Sequence, residues 1–156
     1  VMSQNLWENR EQRRRSWYLF FFQLPLLPEL VLRLNKHRGA VRLLKSSGKE
    51  ATLSKEDLAH YREAWSQPRA WTGMINWYRA LRLQTRRRLP RVRVDPPTLI
   101  IWGEQDVALG ATMAEESLAL CKDGRLERVP DATHWVQHDA AEQVNAWLVD
   151  FFTHPD

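Results

Sequence analysis

Two short segments of this 156-residue chain put proton-handling groups beside turns. They are Trp102-Gly103-Glu104-Gln105-Asp106 and Pro130-Asp131-Ala132-Thr133-His134-Trp135. Each follows a run that reads as a β-strand. Thr98-Leu99-Ile100-Ile101-Trp102-Gly103 is apolar and stops at Gly, and Gly124 to Val129 alternates. In open α/β sheets, ligands bind beyond the carboxyl ends of the strands. Asp106 and His134 are therefore expected on one edge, from neighbouring strands. A carboxylate beside an imidazole holds its tautomer and stabilises the imidazolium that forms during base catalysis. Taken singly, an Asp near Gly is a turn residue and a lone His is a surface or core residue. Their joint placement at successive strand ends favours the chemistry.

Those strands need helices to cover them. Ala111 to Cys121 reads as one helix. Asp139 to Phe152 reads as another, with Val144, Trp147, Leu148 and Phe151 facing inward. Strand, helix, strand, helix is an α/β unit with a parallel pair. Two strands do not make a stable sheet alone, so further strands are expected from elsewhere.

The first part of the chain has a different grammar. Gln4 to Phe22 suits a helix, with charges first and aromatics later. Leu24-Pro25-Leu26-Leu27-Pro28 ends it. Glu29 to Leu34 and Gly39 to Leu44 read as short helices, and Ser46 to Lys49 as a loop. Ser54 can cap a helix that carries Glu56 and Asp57 in its first turn. Leu58, Tyr61, Arg62 and Trp65 follow on one side of it, and Pro68 closes it. Thr72 to Leu83 reads as another helix, with Ile75, Tyr78 and Leu81 or Arg82 on one stripe. Residues 1–92 are expected to be mostly helical.

Charge divides the chain at the same place. Residues 1–95 hold 20 Lys/Arg against 8 Asp/Glu, a balance of +12. Residues 96–156 hold 3 against 11, a balance of −8, and the whole chain carries +4. The seam falls at Asp95-Pro96-Pro97, where the prolines break regular structure. Hydrophobic residues make up 44% and charged residues 27%, which excludes a disordered chain and a membrane bundle. The single cysteine, Cys121, excludes an internal disulfide framework and a Cys-rich zinc site, and a reducing compartment, the cytoplasm, fits it. Cys121 is expected to end a helix and to be inert. Arg13 to Leu32 superficially resembles a signal peptide. Its apolar stretch is too short and is interrupted by Gln23, Pro25, Pro28 and Glu29, so no membrane insertion is expected.

Thr98–Asp106, Pro130–Trp135 and Asn76-Trp77-Tyr78-Arg79 together resemble the epoxide hydrolase family of the α/β-hydrolase fold. Ser16-Trp17-Tyr18 through Phe21-Phe22-Gln23-Leu24-Pro25 resembles the start of that family's helical cap. The chain order of acid then histidine matches the last two members of the α/β-hydrolase triad. The resemblance implies a helical cap over residues 1–92. It implies the last two parallel strands and helices of an α/β-hydrolase core over 93–156. It makes Asp106 the acid that orients the histidine, His134 the base that activates water against a covalent ester, and Tyr78 a donor to the epoxide oxygen. Tyr18, Phe21, Trp77 and Trp135 are expected to bind the substrate, while Trp7, Trp65 and Trp71 are expected in cap packing. The partners implied are a small epoxide and water. No cofactor, no metal and no nucleic acid is implied.

Two positions depart from the family pattern. Phe21 stands where a second cap tyrosine is often found, and Tyr18, one turn earlier, is the candidate replacement. The family's nucleophile is an aspartate on a Gly-rich turn before the cap, and these 156 residues contain neither that turn nor a Gly-x-Ser-x-Gly turn. With that nucleophile and the sheet's earlier strands not found in these residues, the chain is expected to be the C-terminal portion of a longer enzyme and inactive alone. One alternative is a haloalkane or haloacid dehalogenase-like hydrolase, against which Tyr78 argues because a phenol suits an alkoxide. The other is a basic nucleic-acid-binding module, suggested by Arg13–Arg15 and Arg86–Arg88 near Trp residues. The acidic second half opposes it.

Overall fold

The computed structural model describes residues 9–85 and 93–154. Trp7, Arg86–Arg88 and the first residues of the expected Gln4–Phe22 helix lie outside them. The chain divides into two compact units: residues 1–15 with 90–156, and residues 16–89. The sequence pattern places the boundary at 92/93, whereas residues 1–15 here group with the later unit. Residues of the first helix join the later unit through hydrogen bonds to the segment after the first strand.

The α/β unit begins with α1 (Arg10–Arg15), β1 (Thr98–Gly103) and α6 (Thr112–Leu118). It ends with β2 (Gly124–Val129), α7 (Val136–Asp139) and α8 (Ala141–Thr153). Both strands occur at their expected bounds and pair in parallel, with Thr98 opposite Gly124 and Gly103 opposite Val129. The strands therefore end level, and the chain leaves both at the same height. α6 is shorter than expected, because Ala119 to Cys121 form a closing turn and Cys121 then bridges to Val94. The last helix starts earlier than expected and is split, with Ala140 between α7 and α8. Met113, Ala114, Val129, Ala132 and Val144 are buried. Leu148 is exposed rather than inward, and Trp147 and Phe151 are half-buried.

Gly103 determines how the two strand ends meet. A Cβ there would overlap the Thr133 carbonyl oxygen and lie 2.6 Å from that of Ala132. The close approach is sealed by Glu104 N–H to Val129 O (3.0 Å) and Gln105 N–H to Ala132 O (2.9 Å). Only glycine permits such an approach of backbone to backbone.

The helical unit contains α2 (Trp17–Phe21), α3 (Leu27–Ser46), α4 (Lys55–Ser66) and α5 (Ala70–Thr85). The expected helix through Phe22 is broken at Ser16, so the polar α1 and the aromatic α2 serve different units. α3 merges the two expected short helices across a kink. Asn35, Lys36 and His37 there have φ of 50°, 54° and 62°. That left-handed stretch costs about 1 kcal/mol or more per residue and must be held by its surroundings. His37 is buried, and its Nδ1 accepts from the Trp71 indole N–H at 3.1 Å. Its Nε2 lies 3.3 Å from Ser66 Oγ. The rings of Trp65 and Trp71 pack on the imidazole at 5.9 and 5.7 Å. α4 carries a full capping box, in which Ser54 and Asp57 satisfy each other's backbone N–H groups.

The core of this unit is Phe22, Leu32, Ala40, Val41, Leu53, Leu58, Trp65, Trp71 and Ile75. Arg62, expected on the inward side of α4, is exposed. One ion pair ties α5 to the start of α3. Arg79 donates to Glu29 Oε1 (2.7 Å) and Oε2 (3.2 Å), and also to the carbonyls of Phe22 (3.0 Å) and Leu24 (2.8 Å). Burial raises the Glu29 carboxyl pKa, but the Arg79 hydrogen bond is the larger effect and holds it below its ordinary value.

Two stability predictions follow from these contacts. Gly103→Ala should cost about 3 kcal/mol, since backbone must move to admit a methyl group. Glu29→Ala should cost about 2–3 kcal/mol by leaving a half-buried guanidinium without its partner, and Glu29→Gln should cost less. Urea denaturation measures all three variants, and a Glu29→Ala loss within error of zero would contradict the pinning role.

Candidate active site

Each strand end delivers one member of the site. Beyond β1 the chain turns at Gly103-Glu104-Gln105, with Asp106 N–H donating to Gly103 O. Asp106 is 9% exposed. Its Oδ1 accepts from the backbone N–H of Ala108 (2.7 Å) and Leu109 (2.9 Å). Its Oδ2 is left for His134, whose Nδ1 lies 2.8 Å away. A neutral imidazole has one donor nitrogen. With Nδ1–H on the carboxylate, Nε2 is the nitrogen that takes up a proton.

The electrostatics agree with that assignment. Burial pushes the Asp106 carboxyl up, but the His134 hydrogen bond and the Leu109 and Ala108 N–H groups outweigh it and hold it below its ordinary value. The Asp106 hydrogen bond raises His134 above its ordinary value, against the opposing effect of burial. The His134 side chain remains 38% exposed.

The loop that carries His134 is held from below. Thr133 donates to Asp139 Oδ2 twice, from its N–H at 2.7 Å and its Oγ1 at 2.5 Å. Trp135 N–H donates to Thr133 Oγ1 at 3.3 Å. In the sequence Asp139 signals only the start of a helix. The one available signal for its role is a carboxylate six residues beyond a Thr in a turn, which is common in many chains. Trp135 stands edge-on to His134, with ring centroids 5.5 Å apart.

The remaining expected site residues lie in the helical unit. Tyr18 and Tyr78 meet there, with ring centroids 5.8 Å apart and planes at 90°. Phe22 packs on Tyr78 at 5.1 Å. Phe21 contacts Phe22 and Trp17 and is half-buried. Gln23 Nε2 lies 3.3 Å from the Tyr78 carbonyl, so the turn after α2 and the Tyr78 backbone are joined. Trp77 is 76% exposed and stands outside this cluster. The structure thus gathers Asp106, His134 and Trp135 in one unit and Tyr18, Phe21 and Tyr78 in the other. Among the described residues no group of three or more His, Cys, Asp or Glu could hold a metal. None of the described helices is long and apolar enough to cross a membrane.

Comparison with known proteins places this geometry in context. A family profile described as alpha/beta hydrolase fold matches residues 4–141. An AB hydrolase superfamily protein of Bacillus subtilis is 36% identical over 137 residues, covering 88% of this chain and 48% of that protein. Epoxide hydrolase 2 of Caenorhabditis elegans is 34% identical over 149 residues, covering 92% and 41%. Epoxide hydrolase 4 of Homo sapiens is 32% identical over 157 residues, covering 97% and 43%. The structure of an epoxide hydrolase from Bacillus megaterium with an inhibitor superposes with a TM-score of 0.83 at 23% identity, covering 98% of this chain and 56% of that one. That last likeness is one of fold. The chain spans less than half the length of these curated relatives.

The pKa directions make a signed prediction. A raised His134 pKa contributes stability that is present below its ordinary value of 6.5 and is lost as pH rises through the folded value. A lowered Asp106 pKa contributes stability that is present above 3.8 and is lost as pH falls through the folded value. The unfolding free energy of the unaltered chain minus that of Asp106→Asn should therefore be greatest between those limits and shrink on both sides. A pH series of urea denaturations measures it, and a flat difference would contradict the pairing.

Proposed function

This chain belongs to the α/β-hydrolase fold family, and from that we propose that it is the cap and the acid–base portion of an epoxide hydrolase. The observation that carries the reading is the Asp106–His134 hydrogen bond at the level ends of two parallel strands. The meeting of two tyrosines in the helical unit supports an epoxide as substrate. The similarity to named epoxide hydrolases supports it further.

The reaction has two steps. A carboxylate supplied from outside these 156 residues attacks a ring carbon of the epoxide. The carbon–oxygen bond of the ring breaks, and its electron pair stays on oxygen as an alkoxide. Tyr78 and Tyr18 donate hydrogen bonds to that oxygen and one gives it a proton, which lowers the barrier to opening. Tyr18 takes the role that Phe21 lacks the hydroxyl to fill. The product of this step is a covalent ester.

In the second step His134 Nε2 removes a proton from water. The hydroxide attacks the ester carbonyl and the tetrahedral intermediate collapses. The departing alkoxide takes the carboxyl proton, so the diol leaves and the carboxylate is regenerated, and the imidazolium proton returns through solvent to the tyrosinate left by the first step. Asp106 stabilises the imidazolium throughout by accepting from Nδ1–H. Trp135 supplies apolar surface for the substrate beside His134, and Phe21 supplies it in the helical unit, whereas Trp77, exposed outside the cluster, is not given that role. The protein works as a water-soluble enzyme of the cytoplasm.

The reading is tested on the protein translated together with the sequence upstream of Val1. That reading frame should continue into a His-Gly-x-Pro segment and a Gly-rich Asp turn, and the product should convert styrene oxide to its diol. The 156-residue chain alone should form no diol. Tyr78→Phe should lower kcat by about 10²-fold, the order seen when an oxyanion donor is removed. His134→Ala should let the covalent ester accumulate without turnover, as mass spectrometry would record. Diol formation by the 156-residue chain alone, or full turnover by His134→Ala, would overturn the reading.

A further inference from the structure

The Asp106 loop is held from outside by α1, which lies 91 to 98 residues earlier in sequence. Gln12 is 2% exposed and uses both ends of its amide on that loop. Its Nε2 donates to Ala108 O at 2.8 Å, and its Oε1 accepts from Gly110 N–H at 2.9 Å. Arg15 Nη1 donates to the Asp106 carbonyl oxygen at 2.8 Å, while its Nη2 pairs with Glu11 at 2.6 Å. The helix is itself capped by Asn9, whose Oδ1 accepts from the N–H groups of Glu11 and Gln12.

These bonds bear on the carboxylate directly. Asp106 Oδ1 is fixed by the N–H groups of Ala108 and Leu109, so the path of the backbone from 106 to 109 sets where Oδ2 points. That path has little packing to hold it, for Val107 is 54% exposed and Ala108 and Leu109 are half-buried. Two of its carbonyls, those of Asp106 and Ala108, and the N–H of Gly110 just beyond it are bonded to Arg15 and Gln12 instead. A buried amide that satisfies a carbonyl and an N–H two residues apart allows one orientation only, because a flip would break both bonds.

We propose that Gln12 and Arg15 are positioning residues for the Asp106–His134 pair. They fasten the acid loop so that the free carboxylate oxygen stays on His134 Nδ1. The proposal rests on the reading of that pair as the acid and base of the site. It assigns no contact with substrate to either residue.

The test needs no substrate. The His134 Cε1–H resonance of the 156-residue chain is titrated by NMR, with thermal melting as a check on folding. Asp106→Asn defines the midpoint without the pair. Gln12→Ala and Arg15→Met should move the midpoint down by at least half of the Asp106→Asn shift. Arg15→Lys, which retains a donor for the Asp106 carbonyl, should restore most of it. A wild-type midpoint in either folded variant would overturn the proposal. Should Gln12→Ala fail to fold, the half-exposed Arg15 decides through Arg15→Met and Arg15→Lys. A midpoint unmoved by Asp106→Asn itself would overturn the acid–base reading as well. Loss of epoxide turnover in the longer protein alone would leave these titrations standing, so the two failures are distinguishable.

Discussion

At the end of β1 the backbone of Gly103 comes so close to the carbonyls of Ala132 and Thr133 that no side chain fits between them. Much of the α/β unit follows from that approach. The in-register parallel pair ends both strands at one level, and the missing Cβ lets the loops that follow touch. Asp106 leaves one strand three residues on, and His134 leaves the other five residues on. Their side chains meet at 2.8 Å because the two backbones are already joined beneath them. A larger residue at 103 would separate the loops before it disturbed either strand.

A hydrogen bond between two loop residues keeps one geometry only if neither loop drifts. Here each is anchored by polar groups rather than by apolar packing. The acid loop closes on its own carboxylate through Ala108 and Leu109, and α1 holds it from outside. The histidine loop is held by Asp139 through the N–H and the hydroxyl of Thr133. The helical unit uses the same device. Its three left-handed residues persist because His37 is buried among tryptophans and bonded to one of them, and the turn after α2 is stitched to α5 by Arg79. In each case buried polar groups with full partners define one geometry.

This use of polar groups also changes the meaning of the charge. The balances of +12 and −8 look like a surface for an anionic partner beside one that repels it. Several of the basic residues are spent internally. Arg15 serves the acid loop, and Arg79 serves Glu29 and two carbonyls. Arg125 and Arg128 serve carboxylates on β2 and on the elements around it. The guanidiniums so engaged are not offered to a partner, although the balances of +12 and −8 already count their carboxylates and are unchanged by the pairing.

The two strands, the helix started by Ser54, and Asp106 and His134 as a pair were all legible in the sequence. Their signals are local: an apolar run stopped by Gly, a Ser cap followed by acidic residues in the first turn, a polar residue just past each strand. A run of six residues suffices to express such preferences, and the level ends of a parallel pair do the rest. The left-handed kink at 35–37, the break at Ser16, and the work of Gln12, Arg15 and Asp139 were not legible. Each depends on a partner distant in sequence or on a loop conformation, and a Gln in a short polar helix reads the same whether it faces water or the Asp106 loop. The sequence by itself determined which residues would stand at the strand ends, because strand propensity and chain order are local properties. Only the tertiary structure decided how the carboxylate is aimed, because the Ala108 and Leu109 N–H groups that hold it belong to a loop whose backbone is bonded to side chains of a helix more than ninety residues away.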